Sequence, residues 1–107
     1  MEALWFDKTK LPAIAVIWHA GKRVKFRLRY NPQMERYTLD VDDESGNAIV
    51  HGRVLAYGRD ALFGVPHRDL RWLGVIPFDA NFDDDQNDVT RDTLLVSVYP
   101  WLMTRFE

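Results

Sequence analysis

The residues best suited to chemistry lie in one acidic stretch, Asp79-Ala80-Asn81-Phe82-Asp83-Asp84-Asp85-Gln86-Asn87-Asp88. It concentrates the oxygen ligands that a hard cation such as Ca²⁺ takes. Asp83, Asp85 and Asn87 match the first three alternating ligands of an EF-hand loop. The match ends there: Asp88 stands where that loop needs glycine, Leu94 stands where it needs a bidentate glutamate, and no long helices flank it. A solvated acidic connection between strands is the preferred reading, and no metal site is assigned.

Other chemistry finds fewer footholds. His19, His51 and His67 fall in separate segments without the paired spacing of helical zinc motifs. Ser45 sits in a turn without a Gly-x-Ser-x-Gly frame, and Ser97 lies within an expected strand, so neither reads as an activated nucleophile. The chain has no cysteine, which excludes thiolate catalysis, thiolate metal sites and disulfides. No glycine-rich phosphate loop precedes a helix. The expectation is a protein without catalytic residues or cofactor, and nothing in the pattern calls for a small-molecule ligand.

The elements that would position these groups read as strands. From Lys22 to Tyr30 apolar Val24, Phe26, Leu28 and Tyr30 alternate with cationic Arg23, Lys25, Arg27 and Arg29, the period of a half-buried strand. Ala13 to His19 precedes it across a tight Ala20-Gly21 reversal, predicting a hairpin. After the break at Asn31-Pro32, alternation resumes with Tyr37, Leu39 and Val41. Pairing Tyr30 with Tyr37 puts Leu28 opposite Leu39 and Phe26 opposite Val41 inside. The same register puts Arg27 opposite Asp40 and Lys25 opposite Asp42 outside, leaving Arg23 and Arg29 without an acid. Since a one-residue slip would invert every side chain, two faces agreeing on one register is a strong constraint.

A turn at Asp43-Glu44-Ser45-Gly46-Asn47 leads to a strand from Ala48 to Leu55, with Asp43 facing Ala48, Val41 facing Val50 and Gly52 facing Leu39. Arg59 to Phe63 is expected to make one helical turn, closed by Gly64 and stopped by Pro66. Leu70–Ile76 and Thr93–Tyr99 are expected as the fifth and sixth strands, the latter with Leu94, Val96 and Val98 on one side. The fold class is all-β: a small antiparallel β-barrel or a two-layer sandwich of about six strands in meander order, with one short helical turn.

One domain spans residues 1–107, with a β core at 11–99 and terminal segments at 1–10 and 100–107. Those terminal segments carry Trp5, Phe6, Trp101, Leu102, Met103 and Phe106, a dense apolar load for chain ends. Either they fold back over an open barrel mouth or they anchor neighbouring subunits, and with Arg23 and Arg29 they form the expected subunit interface. A formal charge of −2 argues against a strong non-specific nucleic-acid binder. The start lacks a secretory pattern and no apolar run reaches the roughly 20 residues of a membrane span, so no membrane is expected.

The order of motifs resembles the baseplate plug family of contractile-tailed bacteriophages. The likeness is carried by Arg23-Val24-Lys25-Phe26-Arg27-Leu28-Arg29-Tyr30, then Arg36-Tyr37-Thr38-Leu39-Asp40-Val41, then the acidic turn running to Gly52. Gly58-Arg59-Asp60-Ala61-Leu62 and Leu70-Arg71-Trp72-Leu73-Gly74 follow. Ala61-Leu62 replaces that family's leucine pair, and the likeness covers roughly Leu11 to Tyr99. It implies a virion structural protein made in the host cytoplasm. It further implies a homo-oligomeric ring, with six copies the expected number, where the tail tube begins, contacting hub, tube and wedge proteins. The alternative is a small-barrel module recognising nucleic acid or peptide through Arg23, Arg29 and aromatics such as Trp72.

Overall fold

A computed structural model describes the chain except residues 1, 66, 68, 69, 71, 72, 80–88, 91, 92, 97 and 105–107. Trp72, Ser97, Phe106 and nearly all of the acidic stretch lie outside the described residues. The strands are β1 (Glu2–Ala3), β2 (Ala13–His19), β3 (Lys22–Asn31), β4 (Arg36–Asp42), β5 (Ala48–Val54), β6 (Leu73–Asp79) and β7 (Val98–Thr104). They make two antiparallel sheets, one in the order β2-β3-β4-β5 and the other β1-β7-β6. The fold is all-β and the sheets do not close, so of the two expected architectures the barrel is excluded.

The β3–β4 register is the one read from alternation: Tyr30 with Tyr37, Leu28 with Leu39, Phe26 with Val41, Arg27 with Asp40 and Lys25 with Asp42. Val24, Phe26, Leu28, Leu39 and Val41 are fully buried. Full burial of such a side chain contributes about 1.5–3 kcal/mol, against about 0.2–1 kcal/mol for a cross-strand charge pair. The apolar face therefore decides the pairing and the charges refine it. The β2–β3 hairpin turns on Ala20 and Gly21, both at positive φ (53° and 79°), the two-residue geometry whose twist suits flanking strands.

Three expectations are corrected. Irregularities in β4–β5 put Arg53, not Gly52, opposite Leu39, and Asp42, not Asp43, opposite Ala48. Val41 does face Val50. Gly52 instead takes positive φ (74°) at the irregularity and donates its N–H to Asp40 Oδ1 at 2.8 Å. Arg59 to Phe63 makes successive turns rather than a helix, with Phe63 N–H donating to Asp60 O at 3.1 Å.

The last two strands begin later than expected. Leu70 precedes β6, and the Thr93–Tyr99 alternation is largely a tight turn: Leu95 has φ 62°, and both Val96 N–H and Val98 N–H donate to Thr93 O. Leu94 and Val98 are buried, but Val96 is 63% exposed. The strand itself continues to Thr104, so the sheets reach past residues 11–99 at both ends. Both sheets face one hydrophobic core, to which Leu4 and Phe6 contribute from the N-terminal segment and Leu73, Val75 and Val98 from the second sheet.

Candidate functional site

Charged groups gather on the outward face of the four-stranded sheet, where β3, β4 and β5 bring Arg27, Arg29, Asp40, Asp42 and His51 together. Asp40 is only 1% exposed and Asp42 7%. Arg27 Nη2 donates to Asp42 Oδ2 at 3.0 Å, and Arg27 Nη1 lies 3.6 Å from Asp40 Oδ2. Arg29 Nη1 donates to Asp40 Oδ2 at 3.3 Å. His51 Nδ1 is 3.2 Å from Asp40 Oδ1, and its Nε2 is 3.3 Å from Arg29 Nη1.

Two arginines thus meet two carboxylates, and Arg29, expected to lack an acid, shares Asp40 with Arg27. Burial alone would raise the Asp40 carboxyl. The Gly52 N–H, the Arg29 hydrogen bond and the charges of His51 and Arg29 outweigh it and hold the group below the ordinary carboxylate value. Nδ1 of His51 lies against Asp40 and Nε2 against Arg29, so both ring nitrogens have partners within the sheet. That leaves neither aimed at a substrate proton, as a general base would need. A structural brace across three strands is what this geometry supports.

The other chemistry-bearing residues stay apart. Ser45 lies in the β4–β5 turn, where its N–H and that of Asn47 donate to Asp43 Oδ1, while Gly46 takes φ 88°. His19 ends β2 and His67 lies before β6. Among the described residues no three His, Asp or Glu side chains form a group that could hold a metal.

The expected interface residues divide. Trp5 is 69% exposed, whereas Phe6 is 1% exposed and belongs to the core. Trp101, Leu102 and Met103 are half-buried in β7, the middle strand of the second sheet, opposite Ile76, Val75 and Gly74 of β6. β1 pairs on the other side of β7, Glu2 with Leu102 and Ala3 with Trp101. The described terminal segments thus pair with each other through β1 and β7, while Trp5 stays exposed. Arg23 is exposed at the end of β3, its N–H donating to Glu44 Oε2 at 3.3 Å.

One anchoring residue escaped sequence reasoning. Asp60 Oδ1 accepts from Leu62 N–H at 2.8 Å and from Val75 N–H of β6 at 3.0 Å. Gly58 N–H donates to Pro77 O and Ala61 N–H to Val75 O, both at 2.8 Å. A Cβ on Gly74 would come within 2.9 Å of the Asp60 carboxylate. The Gly58-Arg59-Asp60-Ala61-Leu62 motif is thus a clamp that holds a loop along β6; an aspartate two residues after a glycine was the available signal.

A family model described as cyanophage baseplate Pam3 plug gp18 matches residues 8–103. The chain belongs to that family. No curated protein matches it. The plug family is a structural part of the phage tail baseplate, and its motifs in this chain hold register, turns and the loop on β6.

Proposed function

We propose that the chain is a non-catalytic subunit of a contractile-tail baseplate, assembling as a symmetric ring near the hub where the tail tube begins. Hub, tube and wedge proteins are its partners, and it is made in the host cytoplasm before entering the virion. The observation that carries this is the family match across 8–103, nearly the whole chain. The self-satisfied charge cluster supports the non-catalytic part, because its cations, carboxylates and imidazole are committed to one another.

For contacts the reading uses exposed Trp5 and Arg23, the outer parts of Trp101, Leu102 and Met103, and Phe106 beyond the described residues. Phe6 serves them from the core, and Arg29 has its charge shared with Asp40. The small-barrel alternative loses support, since the sheets are open and Arg29 is paired.

Complementation tests the proposal. Tails assembled in the absence of the chain should be defective, and the native chain supplied in trans should restore them. Trp5→Ala combined with Arg23→Glu, both with exposed side chains, should restore them at least about tenfold less well, as expected for loss of an aromatic anchor and a rim charge. Normal tails without the chain would overturn the proposal.

A further inference from the structure

β2 is an edge strand with no strand on its other side among the described residues. Its seven residues, Ala-Ile-Ala-Val-Ile-Trp-His, contain no Asp, Glu, Lys or Arg. Its register with β3 runs unbroken from Ala13 opposite Leu28 to His19 opposite Lys22. Ile14, Val16 and Trp18 on the outward face are 52%, 45% and 70% exposed. Edges of this kind are normally blunted by charge, proline or a bulge, because they recruit other strands.

The backbone is open on the same side. A two-residue reversal makes His19 and Lys22 a hydrogen-bonded pair, and such pairing alternates along an antiparallel ladder. Ala13, Ala15 and Ile17 therefore turn their N–H and C=O groups to β3, and Ile14, Val16 and Trp18 turn theirs away from it. An incoming strand meets three residues that each offer a donor, an acceptor and an exposed apolar side chain.

The chemistry of the occupant follows from the cross-strand rows. Directly opposite side chains interact, so the outward row of the new strand must be apolar. Carboxylates there would be desolvated against Ile14, Val16 and Trp18, while the cations Arg23, Lys25 and Arg27 lie one strand further away. The inward row must extend Ala13, Ala15 and Ile17, which border the core.

Other edges of this chain are poorer candidates. β1 has two residues, β6 is covered by the 58–62 loop, and β5 is irregular with Gly52 at positive φ. β2 itself meets these requirements from residue 14 to residue 18, with His19 falling opposite Ala13 at each end. Antiparallel pairing about Val16 sets Val16 against Val16 and Ile14 against Trp18, twice over. The cationic rows of the two β3 strands then stand three strand spacings apart, about 14 Å, beyond a Debye length of about 8–10 Å.

We infer that two copies of this chain pair edge to edge through β2, about a two-fold axis at Val16, making one continuous eight-stranded sheet. This contact uses one edge twice, whereas a ring needs two different surfaces. Its failure and the failure of the baseplate reading are therefore separate outcomes.

Native mass spectrometry and light scattering on the full chain at about 100 µM suit a contact smaller than the roughly 1,200–2,000 Å² of stable complexes. The native chain should run as a pair. Val16→Lys and Val16→Asp should each run as single chains, with far-ultraviolet circular dichroism unchanged because residue 16 points outward. An equal mixture of the two should restore pairing. If either variant fails to fold, Ile14→Lys mixed with Trp18→Asp provides the same complementation. A native chain that stays single, a pair that survives Val16→Lys, or mixtures that remain single would each overturn the two-fold contact. In the last case β2 meets a different surface or another protein's strand.

Discussion

Strands β6 and β2 both stand at the end of a sheet, yet their free sides meet different surroundings. Along β6 the 58–62 loop donates N–H groups to Pro77 O and Val75 O, and Asp60 accepts from Val75 N–H. Pro77 has no donor to lose on that side, which is where a proline is tolerated in a sheet. β2 has regular geometry, no charge and an exposed apolar row. Among the described residues one edge is closed by a dedicated aspartate and the other has no covering element, and the proposed β2 contact rests on that difference.

Several changes break or sharpen that contrast. Removing residues 101–107 takes out most of β7, on which β6 and β1 both depend, and should abolish the cooperative urea transition altogether. Asp60→Ala opens the closed edge by stripping acceptors from Leu62 and Val75; it should cost about 2–4 kcal/mol in urea denaturation. Gly74→Ala drives a Cβ into the Asp60 carboxylate and should cost about 1–3 kcal/mol while raising amide exchange at Val75 and Ala61.

Asp40→Asn on the charged outward face of the four-stranded sheet should cost about 1–2 kcal/mol at neutral pH, the value being moderated because Arg27 and Arg29 reach solvent. Its pH dependence has a definite sign. The folded carboxyl lies below its ordinary value, so its stabilisation is complete above the unfolded pKa of about 4 and fades as pH falls through the lower folded value. Melting curves of native chain and variant should converge toward acid. Smallest of all, Ile14→Lys on the bare edge should change single-chain stability by less than about 0.5 kcal/mol, since it removes no contact within the chain core.

The contrast between edges was only half legible in the sequence. Alternation over Lys22–Asp42 fixed the β3–β4 register because two faces, one apolar and one charged, had to agree. The turn at Asp43–Asn47 was legible from its polar residues and glycine, and Gly46 takes positive φ there. The pairing of β1 with β7 joins residues about a hundred positions apart, and nothing local encodes such a register. Thr93–Tyr99 mimicked a strand because Leu94 and Val98 are both buried, but from either side of a turn that pushes Val96 outward. At the charge cluster, Asp40 and Arg27 followed from the β3–β4 register, and the expected ladder with Val41 facing Val50 already set His51 opposite Asp40, whereas Arg29 stands opposite Thr38 and reaches Asp40 diagonally, which a list of direct partners does not show. Asp60 looked like an ordinary turn residue because its partner Val75 lies on a distant strand.

Counting the copies of this chain in isolated baseplates, by quantitative mass spectrometry against known tail proteins, bears most directly on its role. A fixed whole number of copies per particle, retained through purification and lost together with tail assembly when the chain is removed, is the predicted result. Baseplates that lack the chain, or hold it in variable trace amounts, would contradict a structural role in the tail.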